Sequence, residues 1–258
     1  MVERYRCEVA VILDIDIGNS RCKFRLRQEE KIFFHNVIGH AETISLTFAA
    51  LWECLPDEKK TIKKILIASV LDAGSNRKIA DFFDEKQQVS PLFAQSRASW
   101  KNLRNGYHHP EVLGVDRWLA MMAAFAEFSR PCIIVDAGTA ITVDAVTASG
   151  THLGGYILPG FEMARQALFA NTRRVQVATA PPALSLQPGR DTASAVSNGY
   201  PAAISGVIAA ARQALVDEAV DDPPVTIICG GDAENIATYL DGVVRPDLVM
   251  TGLKLFFE

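Results

Sequence analysis

Two stretches of the chain repeat one pattern of hydrophobic and polar positions. Each begins with an apolar run, continues through an aspartate, one further residue and a glycine, and then resumes as a second run with apolar residues. The first stretch holds Asp16 and Gly18, and the second holds Asp136 and Gly138. This pattern predicts two strands joined by a tight turn. The two aspartates are 120 residues apart, about the length of a small domain, so we expect a duplicated unit.

The two glycine turns have two interpretations. Asp-x-Gly between strands is a common hairpin signal, and each copy taken alone predicts no more than a turn. Glycine also permits positive φ and the close approach of a ligand, while neighbouring amides and hydroxyls can hydrogen-bond phosphate oxygens. Because both copies lie in matching contexts at domain spacing, we favour two turns that hold the phosphates of a nucleotide between them.

The remaining periodicity predicts an α/β fold. We expect further strands at 31–37, 64–70, 132–135, 141–146, 225–229 and 243–249, and helices at 43–55, 76–83, 118–128, 161–170, 233–240 and 252–257. The segment 99–110 is polar and punctuated by glycine and proline, which predicts a loop. A long Ala-rich helix is expected after Thr192, and Pro201 is expected to kink or split it.

Composition and charge narrow the class of protein. The chain has 258 residues, 49% of them hydrophobic, so it can bury the core of one large domain or two small ones. Its formal net charge of −4 offers no basic field for a nucleic acid. The five cysteines are scattered without Cys-x-x-Cys spacing, which fits a reducing cytosol. With no signal-peptide core and no apolar run long enough to cross a bilayer, we expect a cytoplasmic protein without a membrane partner.

Asp116 and Arg117 lie at the start of the predicted helix 118–128. A carboxylate there is typical of a helix cap or of an acid stabilised by the helix dipole. The same position suits a base at the mouth of a cleft, with Arg117 beside it to bind an anion bidentately. Lys23, on the strand after the first turn, either reaches back to phosphates or lies on a solvated, cationic strand face.

Three residue pairs also have a functional and a plainer interpretation. Pro159-Gly160 precedes a predicted helix whose first N–H groups either bind an anion or simply begin the helix. Gly230-Gly231 follows a predicted strand and suits either the close approach of a base or ribose, or a turn without a ligand. His108-His109 has no third ligand at usable spacing, which indicates a surface loop rather than a metal site.

Taken in chain order, these motifs resemble those of the type III pantothenate kinases. The resemblance rests on Asp16-x-Gly18-Asn19-Ser20-x-x-Lys23, Gly114-x-Asp116-Arg117, Asp136-x-Gly138-Thr139-Ala140-x-Thr142-x-Asp144, Gly154-Gly155-x-Ile157-x-Pro159-Gly160, Gly230-Gly231-Asp232-Ala233 and Pro246-Asp247-Leu248-Val249-x-x-Gly252-Leu253. That family belongs to the acetate and sugar kinase, heat-shock chaperone and actin superfamily. The resemblance implies two duplicated ribonuclease-H-like domains, residues 1–128 and 129–258, each with a mixed five-stranded sheet flanked by helices.

The resemblance implies ATP-dependent phosphorylation of pantothenate to 4′-phosphopantothenate, the first step of coenzyme A synthesis. Asp116 matches the general base that accepts the hydroxyl proton. The residues that match ATP contacts are Asp16, Ile17, Gly18, Asn19, Ser20, Lys23, Gly138 and Thr139. The residues that match the pantothenate pocket are Tyr107, Gly114, Val115, Asp116, Arg117 and Thr192, with Arg117 suited to the carboxylate of the substrate.

The resemblance also implies Mg²⁺ and a monovalent cation, K⁺ or NH₄⁺, with Asp136 matching the ligand of the monovalent cation. It implies a homodimer, in which Thr192 acts on its own site or on that of the partner. Three departures from the usual pattern are a short N-terminal extension before the first strand, Ser20, where threonine is commoner but the hydroxyl is retained, and Pro201, which affects the geometry of the interface helix.

Two other functions stay open. A sugar or acetate kinase of the same superfamily usually has a longer chain, and Gly114-x-Asp116-Arg117 with Tyr107 upstream argues against it. The second is a non-enzymatic accessory regulator of transcription. The acidic balance and the lack of a helix-turn-helix pattern argue against direct binding to DNA.

Overall fold

The computed structural model describes residues 10–172, 184–216 and 223–258. They form an α/β fold with two mixed five-stranded sheets and flanking helices, which confirms the predicted fold class. The chain separates into two compact units. The first contains residues 10–95, Gly114–Asp116 and Leu253–Glu258, and the second contains the described residues of Ser96–Leu113 and Arg117–Gly252. The domain boundary after residue 128 stays a prediction.

The sheet of the first unit has antiparallel and parallel halves. Its strands are β1 Val11–Ile17, β2 Arg21–Gln28, β3 Lys31–Gly39, β4 Ile62–Ser69 and β5 Leu92–Phe93. They lie in the order β3-β2-β1-β4-β5, with antiparallel pairing from β3 to β1 and parallel pairing from β1 to β5. Antiparallel neighbours need only a short turn, whereas a parallel pair needs a longer crossover.

Two helices provide these crossovers and bury one face of the sheet. They are α1 Ile44–Cys54 and α2 Ala73–Gln87. Each begins after a capping side chain, Thr43 for α1 and Asp72 for α2, which accepts a hydrogen bond from a backbone N–H of the first turn. Phe48 of α1 and Phe83 of α2 are buried and meet edge to face, with ring centroids 5.6 Å apart. The same core includes Ile17 and Cys22, which flank the first glycine turn.

Two short strands occupy part of the segment that the sequence predicted to be a loop. They are β6 Ser99–Trp100 and β7 Leu103–Arg104, paired antiparallel. The loop prediction was wrong there because strands of two residues are too short to show an alternating pattern. The next helix, α3 Val115–Phe128, begins three residues before its predicted start at 118.

The sheet of the second unit repeats the plan of the first. Its strands are β8 Cys132–Ala137, β9 Ala140–Val146, β10 His152–Pro159, β11 Val225–Cys229 and β12 Val243–Val244. They lie in the order β10-β9-β8-β11-β12, again antiparallel from β10 to β8 and parallel from β8 to β12. The same strand order in both sheets is the duplication that the repeated pattern predicted.

The helices described in the second half are α4 Phe161–Asn171, α5 Thr192–Val216, α6 Ala233–Ala237 and α7 Leu248–Phe257. Buried side chains of α5 and α6 pack with the sheet of the second unit in one core, among them Ile204, Leu215 and Ile236. Among the described residues, no helix is both long and apolar enough to cross a bilayer.

One prediction for this half was wrong. The strand expected at 243–249 ends at Val244, and α7 has begun by Leu248. Pro246 cannot donate to a strand ladder, and the carbonyl of Asp247 instead accepts the N–H of Thr251 at 2.8 Å, as in a helix. Pro201 was expected to kink or split the Ala-rich helix, and of these two outcomes the split does not occur, since α5 runs through Pro201 without a break. Burial of one side of α5 against the sheet offsets the single hydrogen bond that proline removes.

Candidate active site

The first glycine turn is held by hydrogen bonds on two sides. The N–H of Gly18 donates to the carbonyl of Arg21 at 3.0 Å, which closes the hairpin between β1 and β2. His40, just after β3, donates from its backbone N–H to the carbonyl of Ser20 at 3.2 Å, and its ring Nε2 donates to the carbonyl of Gly18 at 2.8 Å. Asn19 and Ser20 are therefore exposed on a turn of fixed shape, as a phosphate-binding loop requires.

The other predicted ATP contacts of the first unit flank this turn. Asp16 and Ile17 are buried at the end of β1, and Lys23 of β2 is the cross-strand partner of Asp16. Directly opposed residues of antiparallel strands project from the same face of a sheet. The Lys23 side chain is half-buried, so the fully solvated strand face considered from the sequence does not describe it.

The charged face of β1 and β2 continues away from the turn as a buried ion cluster. Arg25 and Arg27 each donate from Nε to Oδ2 of Asp14, at 2.8 and 2.7 Å, and Asp14 is fully buried. A buried carboxylate is tolerated only when it is paired and hydrogen-bonded. The alternation along β2 predicted a cationic face, and the structure encloses Arg25 and Arg27 of that face while Arg21 is exposed.

The second glycine turn is one residue shorter than the first and packs against a helix. The N–H of Gly138 donates to the carbonyl of Ala140 at 3.0 Å, between β8 and β9. The N–H of Gly160, the residue before α4, donates to the carbonyl of Thr139 at 2.9 Å. A methyl group on Gly160 would lie 2.3 Å from the carbonyl oxygen of Gly138, so only glycine lets α4 begin this close to the turn. Thr139 is exposed on the turn.

Asp136, the predicted ligand of a monovalent cation, lies beside another close approach of a glycine. Gly230 has φ +92°, and a methyl group there would lie 2.4 Å from Oδ1 of Asp136 and 2.3 Å from the carbonyl oxygen of Ala137. A carboxylate oxygen is a donor that hard cations prefer, so Asp136 fits such an ion by its chemistry, while the Ala137 carbonyl accepts the N–H of Asp232 at 2.9 Å. Among the residues that the structure describes, no group of three or more His, Cys, Asp and Glu side chains is placed to hold a metal.

Asp116 is the second residue of α3, within the first turn of the helix rather than before it. It is half-buried, and it follows Gly114 and Val115, which belong with it to the first unit. The next turn of α3 is anchored by Trp118 and Leu119, both fully buried. A negative charge in the first helical turn is stabilised by the helix dipole, and a charged carboxylate is the form that accepts a proton. The position therefore suits a general base.

Arg117, the next residue, is held by a buried carboxylate. Its Nε lies 2.9 Å from Oδ2 of Asp144 and its Nη2 lies 2.6 Å from Oδ1, which makes a bidentate ion pair between α3 and β9. Its Nη1 donates to the hydroxyl of Tyr107 at 2.6 Å. The sequence predicted that Arg117 would bind an anion bidentately. In the structure the Nε and Nη2 atoms of Arg117 make that bidentate pair with Asp144, a carboxylate of the protein itself.

His152, at the start of β10, joins the same group. Its Nε2 lies 2.9 Å from Oδ1 of Asp144, and its Nδ1 accepts a long hydrogen bond of 3.4 Å from the N–H of Gly106. Because Nδ1 accepts, the hydrogen of a neutral ring sits on Nε2 and is donated to Asp144. The imidazole also stacks on the ring of Tyr107, with centroids 6.0 Å apart and planes 14° from parallel.

Asp144 and Arg117 stabilise each other's charged form. Burial alone would raise the pKa of Asp144, but hydrogen bonds from His152 and Arg117 hold it below its ordinary value. Burial alone would lower the pKa of Arg117, yet its hydrogen bonds to Asp144 and Tyr107 raise it. The Arg117–Asp144 pair is therefore ionised at neutral pH.

Thr192, predicted to line the pantothenate pocket, is the exposed first residue of α5. The helix is capped by Asp191, whose Oδ1 accepts the N–H of Ser194 at 2.8 Å. The neighbouring hydroxyl of Thr192 is thus not needed for capping. Its place in the pocket stays a prediction.

The sequence analysis assigned no role to His40, which holds the first glycine turn, or to Asp144 and His152, which are hydrogen-bonded to each other beside Arg117. The partners of His40 lie 20 and 22 residues away along the chain, so its function depends on strand register. Asp144 did offer a signal, since a carboxylate inside the apolar run 141–146 must find a partner when it is buried.

Solved structures share this fold. A Campylobacter jejuni protein described as a Baf family transcriptional activator matches with a TM-score of 0.58 and 21% identity, over 95% of this chain and 96% of that one. A Listeria monocytogenes protein described as an N-acetylmannosamine kinase matches with a TM-score of 0.51 and 12% identity, over 96% and 98%. At these identities the matches support the fold and nothing further.

Sequence comparison identifies the family. The family model for type III pantothenate kinase matches residues 12–214, a range that contains both glycine turns and the Arg117 group. The type III pantothenate kinase of Cellvibrio japonicus (strain Ueda107) is 34% identical over 250 residues, which cover 96% of this chain and 97% of that protein. That of Pseudomonas aeruginosa (strain LESB58) is 34% identical over 249 residues, covering 95% and 98%. The chain therefore belongs to the type III pantothenate kinase family.

Proposed function

We propose that this protein transfers the γ-phosphoryl group of ATP to the terminal hydroxyl of pantothenate, which yields 4′-phosphopantothenate and ADP in the first step of coenzyme A synthesis. The observation that carries the proposal is the family match. It covers residues 12–214, and relatives named type III pantothenate kinase align with 95% or more of the chain at 34% identity. The range 12–214 contains the positions of both glycine turns and of Gly114 to Arg117.

In the proposed reaction Asp116 is the general base. Its carboxylate accepts the proton of the terminal hydroxyl while the hydroxyl oxygen forms a bond to the γ-phosphorus. The bond from that phosphorus to the β,γ-bridging oxygen breaks, and ADP leaves with the electron pair. Mg²⁺ supplies charge neutralisation at the phosphate oxygens when it is bound. The half-buried site of Asp116 in the first turn of α3 supports its role.

We assign ATP contacts to the two glycine turns. The assigned residues are Asp16, Ile17, Gly18, Asn19, Ser20 and Lys23 of the first unit and Gly138 and Thr139 of the second. The support is local to each turn, since both are closed by backbone hydrogen bonds and both expose a polar side chain. Such turns present N–H and hydroxyl donors to phosphate oxygens without further rearrangement.

Recognition of pantothenate is assigned to Gly114, Val115, Asp116 and Arg117 of the α3 start, with Tyr107 and Thr192. The geometry supports different roles for Arg117 and Tyr107 in recognition of the substrate. Arg117 is nearly enclosed and its fork is bound to Asp144, while Tyr107 is half-buried and accepts a hydrogen bond from Arg117 Nη1. The Tyr107 hydroxyl therefore keeps its own hydrogen to donate to the carboxylate of the substrate.

The monovalent cation, K⁺ or NH₄⁺, is assigned to Asp136. The support is the carboxylate of Asp136, a hard oxygen donor of the kind that such cations prefer, and its place in the Asp136-x-Gly138-Thr139 motif. Since no cluster of acidic, histidine or cysteine side chains accompanies Asp136 in the described parts of the chain, carbonyl, water or substrate oxygens would complete the ligand set.

A homodimer is assigned to the face formed by β10 and α4. Its exposed large apolar side chains include Tyr156 of β10 and Met163 and Leu168 of α4. A cavity of 230 Å³ beside it is lined by α4 and α5 residues, and one of them is Val196, about one helical turn after Thr192. An apolar patch of this kind is typical of an interface, and Thr192 would then lie near the site of the partner.

The need for ATP supports a cytoplasmic location.

The proposal is tested by a coupled kinase assay of the purified protein with Mg²⁺, K⁺ and ATP. The acceptors compared are pantothenate, a panel of sugars and short carboxylates. We expect ADP release that depends on pantothenate and on no other acceptor. Turnover with a sugar or acetate would indicate another kinase of the superfamily. No turnover with any acceptor would refute the proposal and favour an accessory regulator.

A further inference from the structure

We propose that Asp144 and His152 are positioning residues for recognition of the substrate carboxylate, acting through Arg117 and Tyr107. The inference rests on the proposed function, because it concerns how the same site recognises pantothenate. Asp144 and His152 are 1% exposed each, so neither is accessible to a substrate from solvent. Their contribution must pass through the side chains that they contact.

Burial decreases in order along the group. His152 and Asp144 are at the enclosed end, Arg117 is 5% exposed, and Tyr107 is half-buried. Hydrogen bonds join each member to the next, from His152 to Asp144, from Arg117 to Asp144 and from Arg117 to Tyr107. The group therefore has an anchored inner end and an outer end that a ligand can reach.

Asp144 determines where the guanidinium of Arg117 points. An arginine side chain has several rotatable bonds, and one hydrogen bond leaves it free to swing. The two bonds to Asp144, of 2.9 and 2.6 Å, fix the plane of the guanidinium and direct Nη1 to the Tyr107 hydroxyl at 2.6 Å. The hydroxyl thus has a fixed position and accepts from a cation, which strengthens it as a donor to a carboxylate.

His152 adds a second constraint on the same phenol. Its ring lies nearly parallel to that of Tyr107, and its Nε2 hydrogen bond to Oδ1 keeps the Asp144 carboxylate from rotating out of the plane of Arg117. Because Asp144 balances the charge of Arg117, the group offers the substrate a polarised hydroxyl rather than a bare cation. We therefore infer that these two residues set the preference for a carboxylate at this end of the substrate.

The test compares pantothenate with its alcohol analogue, in which CH₂OH replaces the carboxylate, using kcat/KM for each at saturating ATP. The variants are Asp144→Asn, His152→Leu and His152→Gln. We expect the ratio of the two kcat/KM values to fall about tenfold or more in Asp144→Asn and His152→Leu, through KM for pantothenate, while KM for ATP stays nearly constant. His152→Gln keeps a donor for Asp144, so its ratio should stay within about threefold of wild type.

Glu127→Gln is the matched control. It breaks another bidentate pair of α3, in which Arg245 Nη2 lies 2.6 Å from Glu127 Oε1 near the opposite end of the helix. Its ratio should equal that of wild type. If Asp144→Asn does not fold, the two His152 variants decide the question alone.

Three results distinguish a failure of the proposed function from a failure of the positioning role. A wild-type protein that phosphorylates neither compound refutes the proposed function, and this inference falls with it. An active wild type whose His152→Leu and Asp144→Asn variants lose activity equally on both compounds overturns only the positioning role. A rise in the preference for pantothenate in Asp144→Asn would also overturn it, since a released Arg117 would then bind the carboxylate directly.

Discussion

Gly155 shows how one absent methyl group makes space for a charged pair. It lies opposite Asp144 in the β9–β10 ladder. A Cβ atom there would be 2.4 Å from Asp144 Oδ1 and 2.7 Å from Arg117 Nη2. Both are closer than real Cβ atoms come to their neighbours, and neither partner can retreat without breaking the fork.

We therefore expect Gly155→Ala to destabilise the protein by about 1–3 kcal/mol and to raise KM for pantothenate. Gly206→Ala in α5 is the control of opposite sign, because Gly206 has open space around it within a helix, where alanine is favoured by about 1 kcal/mol. Urea unfolding measures both. A Gly155→Ala variant as stable as Gly206→Ala would contradict the inference that Gly155 makes room for the Arg117–Asp144 ion pair.

Single residues differ in how far the sequence reveals them. The Asp-x-Gly pattern predicted both turns, because turn geometry depends on residues that are adjacent in the chain. The partners of His40, Arg27 and His152 depend on strand register and on a bulge after His152. A pattern of apolar positions does not specify those pairings.

At the scale of elements, the hydrogen bonds of Asp144 in β9 connect this strand with Arg117, near the start of α3, and with His152 of β10. The pKa of Asp144 is lower in the folded protein than the ordinary value of about 3.9. For a group of this kind, the stabilisation is present above the unfolded-state pKa and is lost as the pH falls through the folded-state pKa.

Asp144→Asn should therefore be less stable than wild type at pH 7, by about 3–5 kcal/mol, because it leaves Arg117 buried without its counter-charge. The difference should shrink as the pH falls below about 4, because Asp144 is protonated there in the unfolded chain before it is protonated in the folded protein. Urea midpoints measured from pH 7 to pH 3 check both statements. A difference that stays constant over this range would show that the ion pair is not its source.

The elements themselves were mostly predictable. Strands and helices with a clear period, such as β11 and α4, lie at or near their predicted positions. The prediction failed at 243–249, where a short apolar run fits a strand or a buried helix equally well and Pro246 decides between them. At Pro201 the helix is not split, because packing of α5 outweighs a local breaker.

At the scale of the whole molecule, the 120-residue spacing correctly predicted a repeated sheet, since both sheets have the same strand order. Family membership then connects this duplicated fold with one reaction. Within the proposed mechanism the glycine turns serve ATP, and the chemistry belongs to Asp116, outside both turns. The central claim is thus that this chain phosphorylates pantothenate with Asp116 as the base.

The most direct test is the rate at which purified protein converts pantothenate and ATP to 4′-phosphopantothenate, identified by mass, for wild type and Asp116→Asn. We expect product from wild type, and from Asp116→Asn a turnover lower by about 10²-fold or more with unchanged circular dichroism and melting temperature. The account would be contradicted by a wild type that forms no product, or by an Asp116→Asn variant with near-normal turnover.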